Sequence, residues 1–167
     1  NRNMKYDNDD VRRQDRLFQE DEARELLRHG EYGVLSMVDC TSGEMVAYGV
    51  PVSYVWDGDE AVYAHCAKEG RKLRCLAENA RVSFCVVGAT RVIPEKFTTA
   101  YQSIVLDCVA ATGLSEEERR KALHLILDKY SSEYAEIGRK YAERSFPRTE
   151  VIKLTVEKWS GKSKRVR

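Results

Sequence analysis

The sequence predicts a mainly β (α+β) protein: a six- to seven-stranded antiparallel barrel with peripheral helices. Three observations carry that class. Short apolar runs with a period of two are joined by turn residues along most of the chain. Helical patterns are few and do not alternate with the strands. There is no β-α-β repeat and no G-x-G-x-x-G, so a doubly wound dinucleotide fold is not supported.

The 167 residues suffice for one well-buried core and are too few for two ordinary domains. Residues 1–167 therefore read as a single domain, with the polar stretch 1–16 as an extended arm. From Gln19 to His29, Ala23, Leu26 and Leu27 recur at helical spacing and Gly30 supplies a stop. Tyr32 to Val38 is the first strand, and Thr41-Ser42-Gly43 a turn. The second strand, Val46 to Trp56, is the most regular: Val46, Tyr48, Val50, Val52, Tyr54 and Trp56 alternate with Ala47, Gly49, Pro51, Ser53 and Val55. Pro51 cannot donate to a ladder, which puts this strand at an edge or interrupts it there. Its small face fits either a bend in a barrel or a bed for a flat ligand.

Asp57-Gly58-Asp59 is a hairpin turn and Ala61 to Cys66 the returning strand. A helix from Gly70 to about Asn79 follows, then strands at Arg81–Val87 and Arg91–Ile93, a loop over Pro94–Thr99, and a strand at Ser103–Ala111. Ser115 with Glu118 reads as a capping box. Behind it Leu123, Ile126, Leu127, Tyr130, Tyr134, Ile137 and Tyr141 keep a three-four spacing broken at Ser131-Ser132. That pattern predicts two helices or one kinked helix on the barrel, the tyrosines serving as packing. The last strand runs from Val151 to Trp159.

Lys and Arg total 28 against 27 Asp and Glu, a balance that argues against a general nucleic-acid binder. No run of about 18 apolar residues is present to span a membrane, and no signal peptide is visible. The five cysteines lack a C-x-x-C pair and sit mostly in apolar runs, which fits a reducing, cytoplasmic setting. Three scattered histidines give no metal-ligand spacing.

One stretch carries chemistry: Tyr63 to Leu73, where a strand ends and a helix begins with Gly70, Arg71 and Lys72 at the join. Helix N-termini present free N–H groups and partial positive charge, so two cations there call for an anion. The alternative is a solvated helix face.

Several motifs together resemble one family. They are Arg12 to Arg16, Gly33 to Ser36, Gly49 to Val55, the Tyr63–Leu73 block, Asn79 to Phe84, Tyr101 to Val105, and Trp159-Ser160-Gly161-Lys162. Their order is similar to that of the pyridoxamine 5′-phosphate oxidase-like split-barrel flavoproteins, in the branch that includes the nitroimidazole-resistance proteins. The resemblance implies a split barrel and a homodimer with FMN in two equivalent clefts between subunits. It places Gly70, Arg71 and Lys72 at the phosphate and Val50, Pro51, Val52, Ser53 and Tyr54 along the isoalloxazine ring. Cys66 and Ala67 would be further cofactor contacts, and Ser103, Val105 and Trp159 would approach from the same cleft or from the partner chain. His65 takes the place of the histidine presented beside the flavin. Cys66 stands where the family carries a small hydroxyl residue, which changes the donor offered to the phosphate. Three charge-assisted hydrogen bonds of about 1.5–3 kcal/mol each leave micromolar affinity, about −8 kcal/mol, to be completed by ring burial.

The resemblance thus implies an oxidoreductase passing electrons from a reduced nicotinamide donor to a small aromatic or nitroaromatic acceptor. His65 would be the catalytic residue, giving a hydrogen bond or proton to the ring or substrate, or else a structural or phosphate-binding histidine. Two other readings share the architecture: a non-catalytic flavin- or haem-binding protein, with His29 or His124 as weak haem-ligand candidates, and pyridoxamine 5′-phosphate oxidase proper, for which Arg165 and Arg167 are loose substrate-phosphate candidates.

Overall fold

The structure, a computed structural model, describes residues 4–167. Strands β1 (Lys5–Tyr6), β2 (Gly33–Asp39), β3 (Val46–Val52), β4 (Val55–Trp56), β5 (Ala61–Ala67), β6 (Arg81–Val87), β7 (Arg91–Ile93), β8 (Thr98–Ala111) and β9 (Thr149–Lys164) are accompanied by four helices. These are α1 (Glu20–His29), α2 (Arg71–Glu78), α3 (Glu116–Tyr130) and α4 (Ala135–Ser145). The main sheet runs β3-β2-β6-β8-β9-β5-β4, with β1 added on β9 and β7 on β8. Every pairing is antiparallel except that of β1 with β9.

The antiparallel barrel with peripheral helices therefore forms, with nine strands in place of six or seven. The second strand does not run unbroken to Trp56. It stops at Val52, and after Ser53 and Tyr54 the chain resumes as β4. β3 and β4 stand at opposite ends of the sheet order, so this two-residue break closes the sheet into a barrel. Pro51 lies on the edge strand, as its missing N–H requires.

The stretch read as an extended arm lies against the barrel, pairing with β9 through β1; its first three residues lie outside the described ones. Met4 is buried, and the Tyr6 ring meets Trp159 edge-on at 4.6 Å between centroids. The Tyr6 hydroxyl donates to the Phe18 carbonyl at 2.5 Å. A Cβ on Gly161 would fall 2.4 Å from that hydroxyl and 3.0 Å from Phe18 Cβ, so the glycine makes room for the N-terminal segment.

Two clasps fix the break at Ser53–Tyr54. Lys129 Nζ donates to the carbonyls of Gly30 at 2.6 Å and Tyr54 at 2.9 Å. The Tyr130 hydroxyl accepts from the Tyr54 N–H at 3.0 Å and donates to the Glu31 carbonyl at 2.5 Å. Half of the expected capping box forms: Ser115 Oγ accepts from the Glu118 N–H at 3.1 Å. The Glu118 carboxylate turns instead to the Tyr63 hydroxyl at 2.7 Å and Lys153 Nζ at 2.8 Å. Pinned that way, it holds α3 against β5 and β9. Among the described residues no helix is long and apolar enough to cross a membrane.

Candidate functional site

The antiparallel register of β4 on β5 sets Val55 opposite Tyr63. Continued by two residues it brings Ser53 opposite His65, and both border one cavity. Farther along, β3 follows β2 and β5 follows β9, so the two lips separate. Tyr48, Val50, Val52, Cys66 and Leu73 are the half-buried fringe of the core where the barrel stays unclosed.

At the end of β5 the chain turns through Gly70, whose φ of 145° and ψ of 173° belong to a region that glycine alone occupies readily. A Cβ there would meet nothing within 4 Å, so the requirement is conformational. Arg71 and Lys72, adjacent in sequence, have different surroundings. Arg71 Nε donates to Asp39 Oδ2 at 2.8 Å, and its guanidinium lies 3.9 Å from the centre of the Tyr48 ring. Hydrogen bonds from Thr41, and then from Arg71, hold the Asp39 carboxyl down at about 2. Lys72 makes no hydrogen bond or ion pair among the described residues. It stands near enough to Cys66 to oppose the upward pull of burial on that thiol.

The expected row from Val50 to Tyr54 divides, because successive strand residues face opposite ways. Val50 and Val52 pack against the core, whereas Gly49, Pro51 and Ser53 are exposed on the outer face. Tyr54 is withdrawn altogether: it is fully buried, its hydroxyl donates to the Leu27 carbonyl at 2.6 Å, and its ring meets Phe84 edge-on. Trp159 is 1% exposed beneath Tyr6 and takes no part in an open cleft. Its place in the motif reflects core packing, since alternation along β9 turns it inward.

Pairing across the sheet sets Pro51 opposite Val34, Val34 opposite Cys85, Cys85 opposite Val105, and Val105 opposite Ser160. All five are exposed or half-buried. Ser103 lies on the same outer face between Val87 and Lys162. Pro51, Ser103 and Val105 therefore share one flat surface of small and aliphatic side chains, to which Val34 and Cys85 are additions that tertiary pairing alone reveals. Arg165 is engaged by Glu22 at 2.6 Å, so it does not stand free for a substrate phosphate.

His65 lies on the outer face as well, farther round the barrel where α3 and α4 cover it. It borders two adjoining cavities of about 430 and 610 Å³ between β5 and the α3–α4 pair. Desolvation by the wall around it lowers its pKa from the ordinary 6.5, although the ring is partly open to solvent. Ala67 borders the smaller cavity and Ser53 the larger. Tyr134, Ile137 and Tyr141, expected to pack on the barrel, are 64, 67 and 60% exposed. Their spacing was legible as one helix stripe, but its burial depended on a neighbour that the fold does not provide.

The sequence profile of the pyridoxamine 5′-phosphate oxidase family matches residues 19–163. No curated protein matches the chain. Solved structures do. A candidate 5-nitroimidazole antibiotic resistance protein from Bacteroides thetaiotaomicron aligns at a TM-score of 0.68 with 18% identity, over 88% of this chain and 85% of that one. An FAD- and haem-binding protein from Mycobacterium smegmatis aligns at 0.68 with 19% identity, over 89% and 72%. An FAD-binding protein from Mesorhizobium loti aligns at 0.61 with 20% identity, over 90% and 98%. At these identities the likeness is one of fold.

Proposed function

The chain belongs to the pyridoxamine 5′-phosphate oxidase family, and from that premise we propose that it binds FMN in a cleft completed by a second copy of itself. There it passes electrons from a reduced nicotinamide donor to a small aromatic or nitroaromatic acceptor. The observation that carries the reading is the pairing of an unengaged cation, Lys72, at the N-terminus of α2 with an exposed strip of small residues, Gly49, Pro51 and Ser53, on the neighbouring lip.

The residues fit the cofactor in kind. Lys72, the first N–H groups of α2 and the outer nitrogens of Arg71 would hold a phosphomonoester. Gly70 leaves the approach open. Pro51 and Ser53 would bear on the ring, and the flat face around Val34, Cys85 and Val105 would take the partner subunit and so exclude water from the ring. Bound FMN supplies hydride acceptance and one- or two-electron transfer. His65, whose pKa burial lowers from 6.5, would in its protonated form lend a proton to the acceptor at the apex of the split.

The test is to purify the chain and measure flavin absorbance, molecular mass in solution and nicotinamide-dependent reduction of a nitroaromatic. A yellow dimer that turns over is expected. A monomer that FMN neither colours nor stabilises against heat overturns the reading. A flavin-loaded protein that neither NADH nor NADPH reduces would make it a carrier or sensor instead of an enzyme.

A further inference from the structure

The trough between β5 and the α3–α4 pair is lined in a way that core packing does not explain. Its two cavities share His65, Ile126, Leu127 and Tyr141. Tyr130, Tyr134 and Ile137 extend the apolar wall at one end, and exposed aromatic side chains on a helix otherwise lose favourable burial. Arg144 borders the larger cavity and Arg148 the smaller, and no carboxylate lines either. In a chain with 27 acidic residues against 28 basic ones, that exclusion sets the local charge. Neither arginine has an ion-pair partner among the described residues. Arg148 donates to the Arg144 carbonyl at 3.4 Å, which sets the two on successive turns of one surface.

We infer that this trough binds a planar aromatic anion, a ring bearing a carboxylate or similar group, with the ring against Tyr134 and Tyr141 and the charge toward Arg144. Aromatic rings offer a stacking surface at small entropic cost, and a guanidinium pairs with a carboxylate through two parallel hydrogen bonds. Ser53 and His65 border the same cavity. A molecule seated there thus lies at the apex of the split, beside the strip assigned to the flavin ring. The inference rests on the oxidoreductase reading only in making that molecule the electron acceptor; the binding site stands by itself.

The full chain is titrated calorimetrically with 4-nitrobenzoate and with the uncharged 4-nitrobenzyl alcohol, its flavin content being measured separately by absorbance. 4-Nitrobenzoate is expected to bind more tightly than the alcohol. Arg144→Gln should weaken the carboxylate about fivefold or more while leaving the alcohol nearly unchanged, and Tyr141→Ala should weaken both. Tyr134→Ala provides a second aromatic probe, and far-UV circular dichroism verifies that each variant is folded. No heat with either ligand at millimolar concentration, or equal affinities in wild type and Arg144→Gln, overturns the site. The flavin measurement judges the oxidoreductase reading and the titration judges the trough, so the two fail separately.

Discussion

Arg71 is tied to Asp39, Nε to Oδ2 at 2.8 Å, and its guanidinium stands 3.9 Å from the centre of the Tyr48 ring. The pair draws the N-terminus of α2 onto the hairpin end of β2 and β3. It also divides labour between two adjacent cations, since Lys72 has no such partner.

FMN affinity should therefore respond unequally to the two. Lys72→Ala removes one charge-assisted contact of about 1.5–3 kcal/mol and should weaken binding by roughly 10- to 150-fold. Asp39→Asn leaves Arg71 less firmly held, so it should tighten binding a few-fold while lowering the thermal midpoint. Fluorescence titration of FMN with each variant measures both, and equal losses in the two would refute the division.

Lys129 provides a pH signature of the clasp on Tyr54. Burial takes its pKa down from 10.5 to about 8. Between those values the unfolded chain holds a proton that the folded one has released, so this group adds stability as pH rises from about 8 to 10.5. Buried thiols and tyrosines titrate in the opposite sense over part of that range. The quantity to follow is thus the difference in unfolding free energy between wild type and Lys129→Met. It should move in favour of wild type through that window and lie flat between pH 6 and 7.

Trp159 and Gly161 should behave as packing residues. Trp159→Phe would leave a partly filled void beneath Tyr6 and cost about 1–3 kcal/mol. Gly161→Ala would press on Tyr6 and Phe18 at a similar cost. Denaturant unfolding measures these losses. FMN affinity of the folded fraction should stay within about twofold of wild type; a selective loss of flavin would return Trp159 to the cleft.

His65 should set the alkaline limb of the rate. Its pKa lies below 6.5 because burial disfavours the imidazolium. If the ring donates the proton, kcat for nitroaromatic reduction falls as pH rises through a value under 6.5, and His65→Gln removes that dependence. An unchanged profile in the variant would make the histidine structural.

Gly70→Ala tests the turn itself. An L residue at φ 145° and ψ 173° is strained by about 1–3 kcal/mol. The variant should lose that much stability in denaturant unfolding and also bind FMN more weakly, because its N–H groups would no longer be held in place. Loss of stability with undiminished flavin affinity would separate the turn from the phosphate.

Local chemistry was enough to place most elements. Period-two alternation located the strands, Gly30 and Ser131-Ser132 ended helices where they end, and the missing N–H of Pro51 put its strand on an edge. The Gly70–Lys72 turn was legible for the same reason, as backbone conformation and charge at a helix end depend on neighbours in sequence. Which face of a strand meets water, and which strands lie side by side, depends on partners far along the chain. That is why Tyr54 and Trp159, whose motifs suggested a cleft, were taken into the core by Leu27 and Tyr6. It is also why Val34 and Cys85 came to share a surface with Pro51 and Val105. The stripe of Tyr134, Ile137 and Tyr141 was plain in the sequence, but only the tertiary arrangement left it uncovered, because α4 packs through Ala142 and Ser145 and turns its larger side chains toward an open trough.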